Sequence, residues 1–256
     1  MKEINYIEFW ATRHCNLTCR GCSSVSPIAR KWCLEEASLS RDLGRFVSLG
    51  ISIRNVNILG GEPLLHPKLV DLMRCVKRHF PNTKLGILTN GLLLPKMCGN
   101  FWEACRELDV RLSVTLFPIL QESARAKLLV LLKTNGVDYR ITDKHMFNKI
   151  LTLRRGASMA DIRNACGCKG ACNLFNGQVS RCTVPMVAPL LNEHYGCNFE
   201  ETGRLNIHTA TADEIIRFLS TPNDSCANCT DSPQKIEWSL GVGSPEIGDW
   251  IVEGGC

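Results

Sequence analysis

The 256 residues are enough to bury one large core and a smaller one. Lys and Arg number 30 against 25 Asp and Glu, a net charge of +5 spread along the chain rather than gathered in runs, which argues against a nucleic-acid partner. No apolar run is long enough to span a membrane, and MKEINYIEFW carries charge where a secretory signal needs its apolar stretch, so a soluble cytoplasmic protein is expected.

The 15 cysteines are odd in number and clustered, which favours metal ligation and free thiols in a reducing compartment over a disulfide framework. In chain order, INYIEFWA (4–11), IRNVNILG (53–60), KLGILTN (84–90), VRLSVTLF (110–117) and VDYRITD (137–143) are β-branched and aromatic runs of strand length. Amphipathic stretches between them predict helices over Ser38–Leu49, Pro67–His79, Pro95–Leu108 and Ile119–Asn135. In the second, Leu69, Val70, Leu72, Met73 and Val76 make one apolar stripe, with Lys77 and Arg78 at the end where the helix dipole favours cations. KILTLRR (149–155) reads as a sixth strand. Repeated strand–helix units predict an α/β fold with a parallel sheet, open or closed into a barrel.

After about Gly156 the character changes. Seven cysteines lie between Cys166 and Cys229, and one convincing helix remains at Ala212–Leu219, capped by Thr211 or Thr209. NLFNGQVSRC reads as a hairpin turning at Asn176-Gly177. Residues 161–256 therefore read as a small, loop-rich, cysteine-rich domain that depends on a metal, following a larger domain over 1–160. The closing EGGC reads as an unanchored tail.

Cys15, Cys19 and Cys22 follow C-x3-C-x2-C just after the first strand. Three thiolates in one short loop suit an iron–sulfur cluster, whereas zinc needs a fourth ligand at similar spacing; a cluster held by three cysteines leaves one iron free. GGEP at Gly60–Pro63 ends the second strand and LTNG at Leu88–Gly91 the third. Together these motifs resemble the radical S-adenosylmethionine (SAM) superfamily, over essentially the whole chain. The resemblance implies a partial (β/α)6 barrel and a [4Fe–4S] cluster on Cys15, Cys19 and Cys22 whose open iron chelates SAM. Reductive cleavage of SAM then gives a 5′-deoxyadenosyl radical, which takes a hydrogen atom from the substrate. The resemblance also implies that Gly60 and Gly61 let backbone approach the methionyl group and that Glu62 accepts from its ammonium. Thr89, Asn90, Ser113 and Thr115 would line the ribose and carboxylate sites, although a strand-end Thr or Ser is also an ordinary turn residue. Many members carry an aromatic residue before the third cysteine. Gly21 stands there, so adenine must be met elsewhere, by backbone or by Phe117.

The second cysteine group resembles the superfamily's twitch-type auxiliary domain, which implies a second, auxiliary [4Fe–4S] cluster. Gly177 and Cys182 have that domain's hairpin spacing, Cys226-Ala-Asn-Cys229 supplies its C-x2-C pair, and the first ligand is Cys166, Cys168 or Cys172. In a regular hairpin Ala171 faces Cys182 and Cys172 points away, and Cys166 fits the family's distance to the glycine better, so Cys166 is expected. A four-cysteine zinc knuckle is the structural alternative. Cys75, Cys98 and Cys105 read as small buried hydrophobes, Cys33, Cys197 and Cys256 as spare thiols, and His14 as a packing or hydrogen-bonding residue.

RHCNLTCRGCSSVSPIA, GGEPLLHPKL and FWEAC look like radical SAM proteins encoded beside carbohydrate biosynthesis enzymes. The resemblance therefore implies a small polar substrate, a sugar or sugar-derived metabolite, with flavodoxin or ferredoxin as electron donor. Dehydrogenation is the favoured outcome, the auxiliary cluster taking the second electron. The alternatives are a cysteine-dependent epimerase, a peptide maturase, an activase of glycyl radical enzymes, and a non-catalytic iron–sulfur or zinc protein. The last explains the cysteines but not GGEP.

Overall fold

The computed structural model describes residues 2–154, 156–168 and 172–252. Cys256 and the rest of the EGGC tail lie outside them, as do Arg155 and Ala171. Five strands, β1 (Lys2–Thr12), β2 (Ile51–Gly60), β3 (Lys84–Thr89), β4 (Val110–Leu116) and β5 (Asp138–Asp143), alternate with α1 (Glu36–Ser48), α2 (Leu69–His79), α3 (Gly99–Glu107) and α4 (Glu122–Thr134). The strands lie in the order β5-β4-β3-β2-β1 and each neighbouring pair is parallel, the α/β partial barrel expected. Alternation sorts the two faces. Ile7, Phe9 and Ala11 of β1 join Leu39, Leu43 and Phe46 of α1 and Leu69, Leu72, Met73 and Val76 of α2 in one core. Each fully buried Leu or Phe there contributes about 2 kcal/mol of transfer free energy. Tyr6, Glu8 and Trp10 point to the opposite, concave side.

Past β5 the chain departs from expectation. The strand foreseen at KILTLRR is β6 (Met146–Leu151), and it is not a barrel strand: it pairs antiparallel with β10 (Cys229–Glu237). Nothing local identifies that partner, because Leu151 meets Cys229 and Met146 meets Glu237. After α5 (Met159–Ala165) the chain rejoins the main sheet. There β7 (Cys172–Phe175) pairs parallel with β1, and β8 (Gln178–Ser180) and β9 (Arg204–Asn206) add antiparallel. The sheet thus crosses the boundary expected at 160/161. The β7–β8 hairpin turns at Asn176 (φ 47°) and Gly177 (φ 70°), the two positive values a two-residue turn requires.

Two helices complete the chain, α6 (Val184–Tyr195) and α7 (Ala212–Ser220), the second opened by a capping box between Thr211 and Glu214. A second apolar cluster joins Trp10 and Val25 to Val184, Val187 and Leu191 of α6 and to Phe199, Trp250 and Ile251. It covers the concave side of β1 near its carboxyl end. No helix among the described residues is long and apolar enough to cross a membrane.

Candidate active site

The cysteine loop leaves the carboxyl end of β1, where the register with β2 shifts between Trp10 and Thr12. Three sets of contacts hold it. The first is GGEP. Gly61 N–H donates to the Thr12 carbonyl (2.9 Å) and Glu62 N–H to that of His14 (3.0 Å). A Cβ on Gly60 would stand 2.4 Å from Thr12 O, and one on Gly61 2.2 Å from His14 O. The Thr12–Cys15 backbone thus approaches both glycines where a Cβ would stand. Gly60→Ala or Gly61→Ala is therefore expected to push the loop off β2 at a cost of about 1–3 kcal/mol. Thermal melting and iron analysis of reconstituted protein check it.

The second set centres on Glu62, which is 1% exposed. Its Oε1 accepts from Thr89 Oγ1 (2.7 Å) and Leu64 N–H (3.1 Å), and its Oε2 from Asn90 N–H (2.9 Å). Burial raises its pKa and these donors oppose the rise. Thr89 Oγ1 also accepts from Gly91 N–H (3.0 Å). Both side chains thus tie the end of β3 to GGEP, and a buried carboxylate without such donors is costly. Asn90 reaches further, its Nδ2 donating to Asn16 Oδ1 (2.8 Å) with Cys15 Sγ 4.0 Å away. Ser113 and Thr115 stand half-buried on the concave side of β4.

The third set comes from the far end of the chain. Arg20 N–H donates to Ser239 O and Gly241 N–H to Thr18 O, Cys19 bridges to Leu240, and Arg20 pairs with Asp249 (2.6 Å). Trp238 Nε1–H donates to Cys19 Sγ (3.2 Å), and the Trp238 ring stacks on Phe117 with centres 5.1 Å apart. A Cβ on Gly21 would meet Ile236 Cδ1 at 2.9 Å and Phe147 at 3.8 Å. The side of the loop that the family's aromatic residue would cover is therefore covered by Ile236 and Phe147, with Phe117 and Trp238 beside them.

Burial pushes the Cys15 thiol up to about 12 and that of Cys19 up to about 11, and neighbouring thiols add to both. Leu17 N–H (3.4 Å from Cys15 Sγ) and the Trp238 indole oppose the rise by donating to the sulfurs. Adjacent free thiols with donors aimed at their sulfurs fit an iron–sulfur cluster on Cys15, Cys19 and Cys22. Trp238→Phe removes one donor that favours the more negative, reduced cluster. The midpoint potential is expected to fall, as read by potentiometric titration with electron paramagnetic resonance (EPR).

Five cysteines line a second cavity of about 380 Å³: Cys166 and Cys168 after α5, Cys182 after β8, Cys226, and Cys229 at the start of β10. Cys172 faces the other way, buried with Leu174 in the helical core as alternation requires. Burial pushes Cys168 up to about 11 and Cys182 up to about 12, and the thiols raise one another. Cys166 and Cys168 both line the cavity, so the fourth thiol is one of the two, and spacing favours Cys166. Among the described residues no three His, Cys, Asp or Glu side chains close on one ion-sized point, so these thiols stand around a cavity wall.

Residues 11–140 match the family described as the radical SAM superfamily. The chain belongs to that superfamily. Radical SAM proteins use a [4Fe–4S] cluster and SAM. A GTP 3′,8-cyclase of Aliarcobacter butzleri (strain RM4018) is 31% identical over 127 residues, 48% of this chain and 38% of its own length. The GTP 3′,8-cyclase of Alkaliphilus oremlandii (strain OhILAs) is 31% identical over 112 residues, 43% and 33% of the two chains. The chain thus spans well under half the length of these curated relatives. Among solved structures, BtrN in complex with AdoMet and 2-DOIA superposes with a TM-score of 0.56 at 16% identity, over 88% of this chain and 85% of that one, which shows a shared fold.

Other residues of this radical SAM enzyme fall into place around the loop. Thr12 Oγ1 and His14 Nδ1 are 2.7 Å apart, and Cys33 Sγ lies 3.6 Å from the same hydroxyl. Cys197 packs half-buried against the second apolar cluster. Cys75 and Cys105 are buried, but Cys98 is exposed, because it follows the solvent-facing Pro95-Lys96 turn into α3. Spacing gives no warning of Glu8, a buried carboxylate on the concave side of β1. Tyr6 Oη–H donates to it (2.8 Å) and Asn173 hydrogen-bonds it, while burial raises its pKa. Its trace in the sequence is a carboxylate set between Ile7 and Phe9 in the inner half of β1.

Proposed function

We propose that this radical SAM enzyme dehydrogenates a small polar substrate, a sugar or sugar-derived metabolite, with a second [4Fe–4S] cluster as electron acceptor. The observation that carries the reading is the convergence of five cysteines on one cavity, separate from the three-cysteine loop. Cys15, Cys19 and Cys22 would hold the first cluster; Cys182, Cys226 and Cys229, with Cys166 or Cys168, would hold the second. When bound, the first cluster and SAM supply the radical that removes one hydrogen atom, and the second cluster takes up one electron. Tyr6, Glu8, Ser113 and Thr115 offer hydrogen bonds to a hydroxylated substrate along the concave face. Glu8 offers a carboxylate for the hydroxyl proton, so that the substrate loses one hydrogen atom, one proton and one electron, two hydrogens in all. Asn90, Gly60 and Gly61 would shape the SAM site, the glycines through the loop they hold. Residues 1–160 would generate the radical and 161–256 serve the auxiliary cluster, in a reducing cytoplasm where thiols persist, with flavodoxin or ferredoxin as reductant.

A second reading, epimerisation with a thiol as hydrogen donor, is favoured by one observation: Cys33 sits beside Thr12 at the root of the cysteine loop. Anaerobic incubation of reconstituted enzyme with SAM, reductant and candidate sugars, sugar nucleotides and GTP separates the readings by mass. Loss of two hydrogens, undiminished in Cys33→Ala, is the expected result. Unchanged mass with altered retention, abolished by Cys33→Ala while 5′-deoxyadenosine still accumulates, makes the enzyme an epimerase. Conversion of GTP, the substrate named for the curated relatives, overturns the dehydrogenase reading.

A further inference from the structure

Arg13 lies two residues before Cys15, and its guanidinium rests against two rings. Its Cζ is 4.3 Å from the centre of Phe175 and 4.9 Å from that of Trp10. Trp10 follows Glu8 on the concave side of β1, and Phe175 follows Asn173 on the same side of β7; the two strands are in register at Phe9 and Leu174. Arg13 thus caps the concave seam between β1 and β7. Trp10 belongs to the apolar cluster that Cys182 and Cys229 border, so this cap lies between the two cysteine groups.

The two ring centres are themselves 5.6 Å apart, so both rings lie to one side of the guanidinium and neither accepts its N–H groups as an oxygen would. No described carboxylate forms an ion pair with Arg13, whose side chain is half-buried. Two buried N–H groups at this place, Arg13 Nε and Trp10 Nε1, have no hydrogen-bond partner among the described residues. Buried polar groups are nearly always paired, and both orphans are donors. What is missing is therefore an acceptor, and beside an unpaired cation that acceptor is a negatively charged oxygen.

We propose that Arg13 and Trp10 form an oxyanion site for a phosphate or carboxylate of the substrate. The inference rests on the reading above, in which the substrate lies between the two clusters, and narrows its class to an anionic small molecule. The carboxylate of SAM has the same chemistry and is the competing source.

Isothermal titration of reconstituted enzyme with inorganic phosphate tests the site. Saturable binding is expected, weakened about tenfold or more by Arg13→Gln. Arg13→Lys, which keeps the charge but not the planar fork, should lose less. Circular dichroism and iron content confirm that both variants fold. Binding should persist with SAM at saturation; if SAM abolishes it, the acceptor is SAM's own carboxylate and the substrate site is overturned. Absence of phosphate binding to the unaltered enzyme at millimolar concentration, or equal binding by Arg13→Gln, also overturns it. The functional reading fails separately: an enzyme that binds phosphate through Arg13 yet never cleaves SAM keeps the anion site and loses the radical chemistry.

Discussion

Replacing Cys15, Cys19 and Cys22 together with Ala is expected to abolish reductive cleavage of SAM and to remove about half of the iron, because in the proposed reading two four-iron clusters contribute equally and only the one on this loop has an open iron. The expectation is stronger than motif spacing alone makes it. The three thiols occupy one loop held from GGEP, from the end of β3 and from Ser239–Gly241, so the variant deletes sulfur without deleting the scaffold. Production of 5′-deoxyadenosine and Mössbauer spectra of the reconstituted triple variant decide the matter. Persistent SAM cleavage would mean that the loop does not carry the catalytic cluster.

Single Ala variants of Cys182, Cys226 and Cys229 are expected to lower iron from about eight to about four per chain and to stop formation of oxidised product. The same experiment settles the fourth ligand. Of Cys166→Ala and Cys168→Ala, both on the cavity wall, the variant that loses as much iron as Cys182→Ala identifies the ligand, and spacing favours Cys166. About four irons and one zinc in the unaltered protein would instead identify a structural knuckle. Thermal stability should fall in the ligand variants, since metal binding and local folding are coupled where the cavity is walled by α5 and the start of β10.

The barrel half was legible in sequence for a physical reason. Its first four strands are each followed by a helix, and the pairing β5-β4-β3-β2-β1 joins neighbours in the chain. The Asn176-Gly177 turn was legible too, since two positive φ values leave few other residues able to serve. Helix α6 was not, because VPMVAPLLNEHY carries Pro185 and Pro189; the first lies in the opening turn, where proline is tolerated, and the second inside. The role of β6 was hidden because its partner lies far along the chain. At the site, the cysteine spacing identified the donors but not what surrounds them. Glu62 and Thr89 match the motif, yet their hydrogen bonds run to the protein itself. Trp238 belongs to no motif, and the role of Arg13 beside the cysteine motif is not marked by spacing; only the folded chain brings one to Cys19 and the other against two rings.

The contact between Trp238 and Cys19 spans 219 residues, and this sets an order of assembly. Synthesis at 5–20 residues per second leaves the cysteine loop without its distal partner for roughly ten to forty seconds after it emerges from the ribosome. Closing so long a span carries an entropic penalty that nearby contacts do not face, so such pairings form late. The motif nearest the amino terminus is therefore among the last parts to be completed. Iron delivered to a nascent chain would meet three thiols still open to solvent and oxidant, whereas iron delivered after release meets them with the Trp238 donor in place. Completion of the protein shell around these thiols is thus a post-translational event by topology.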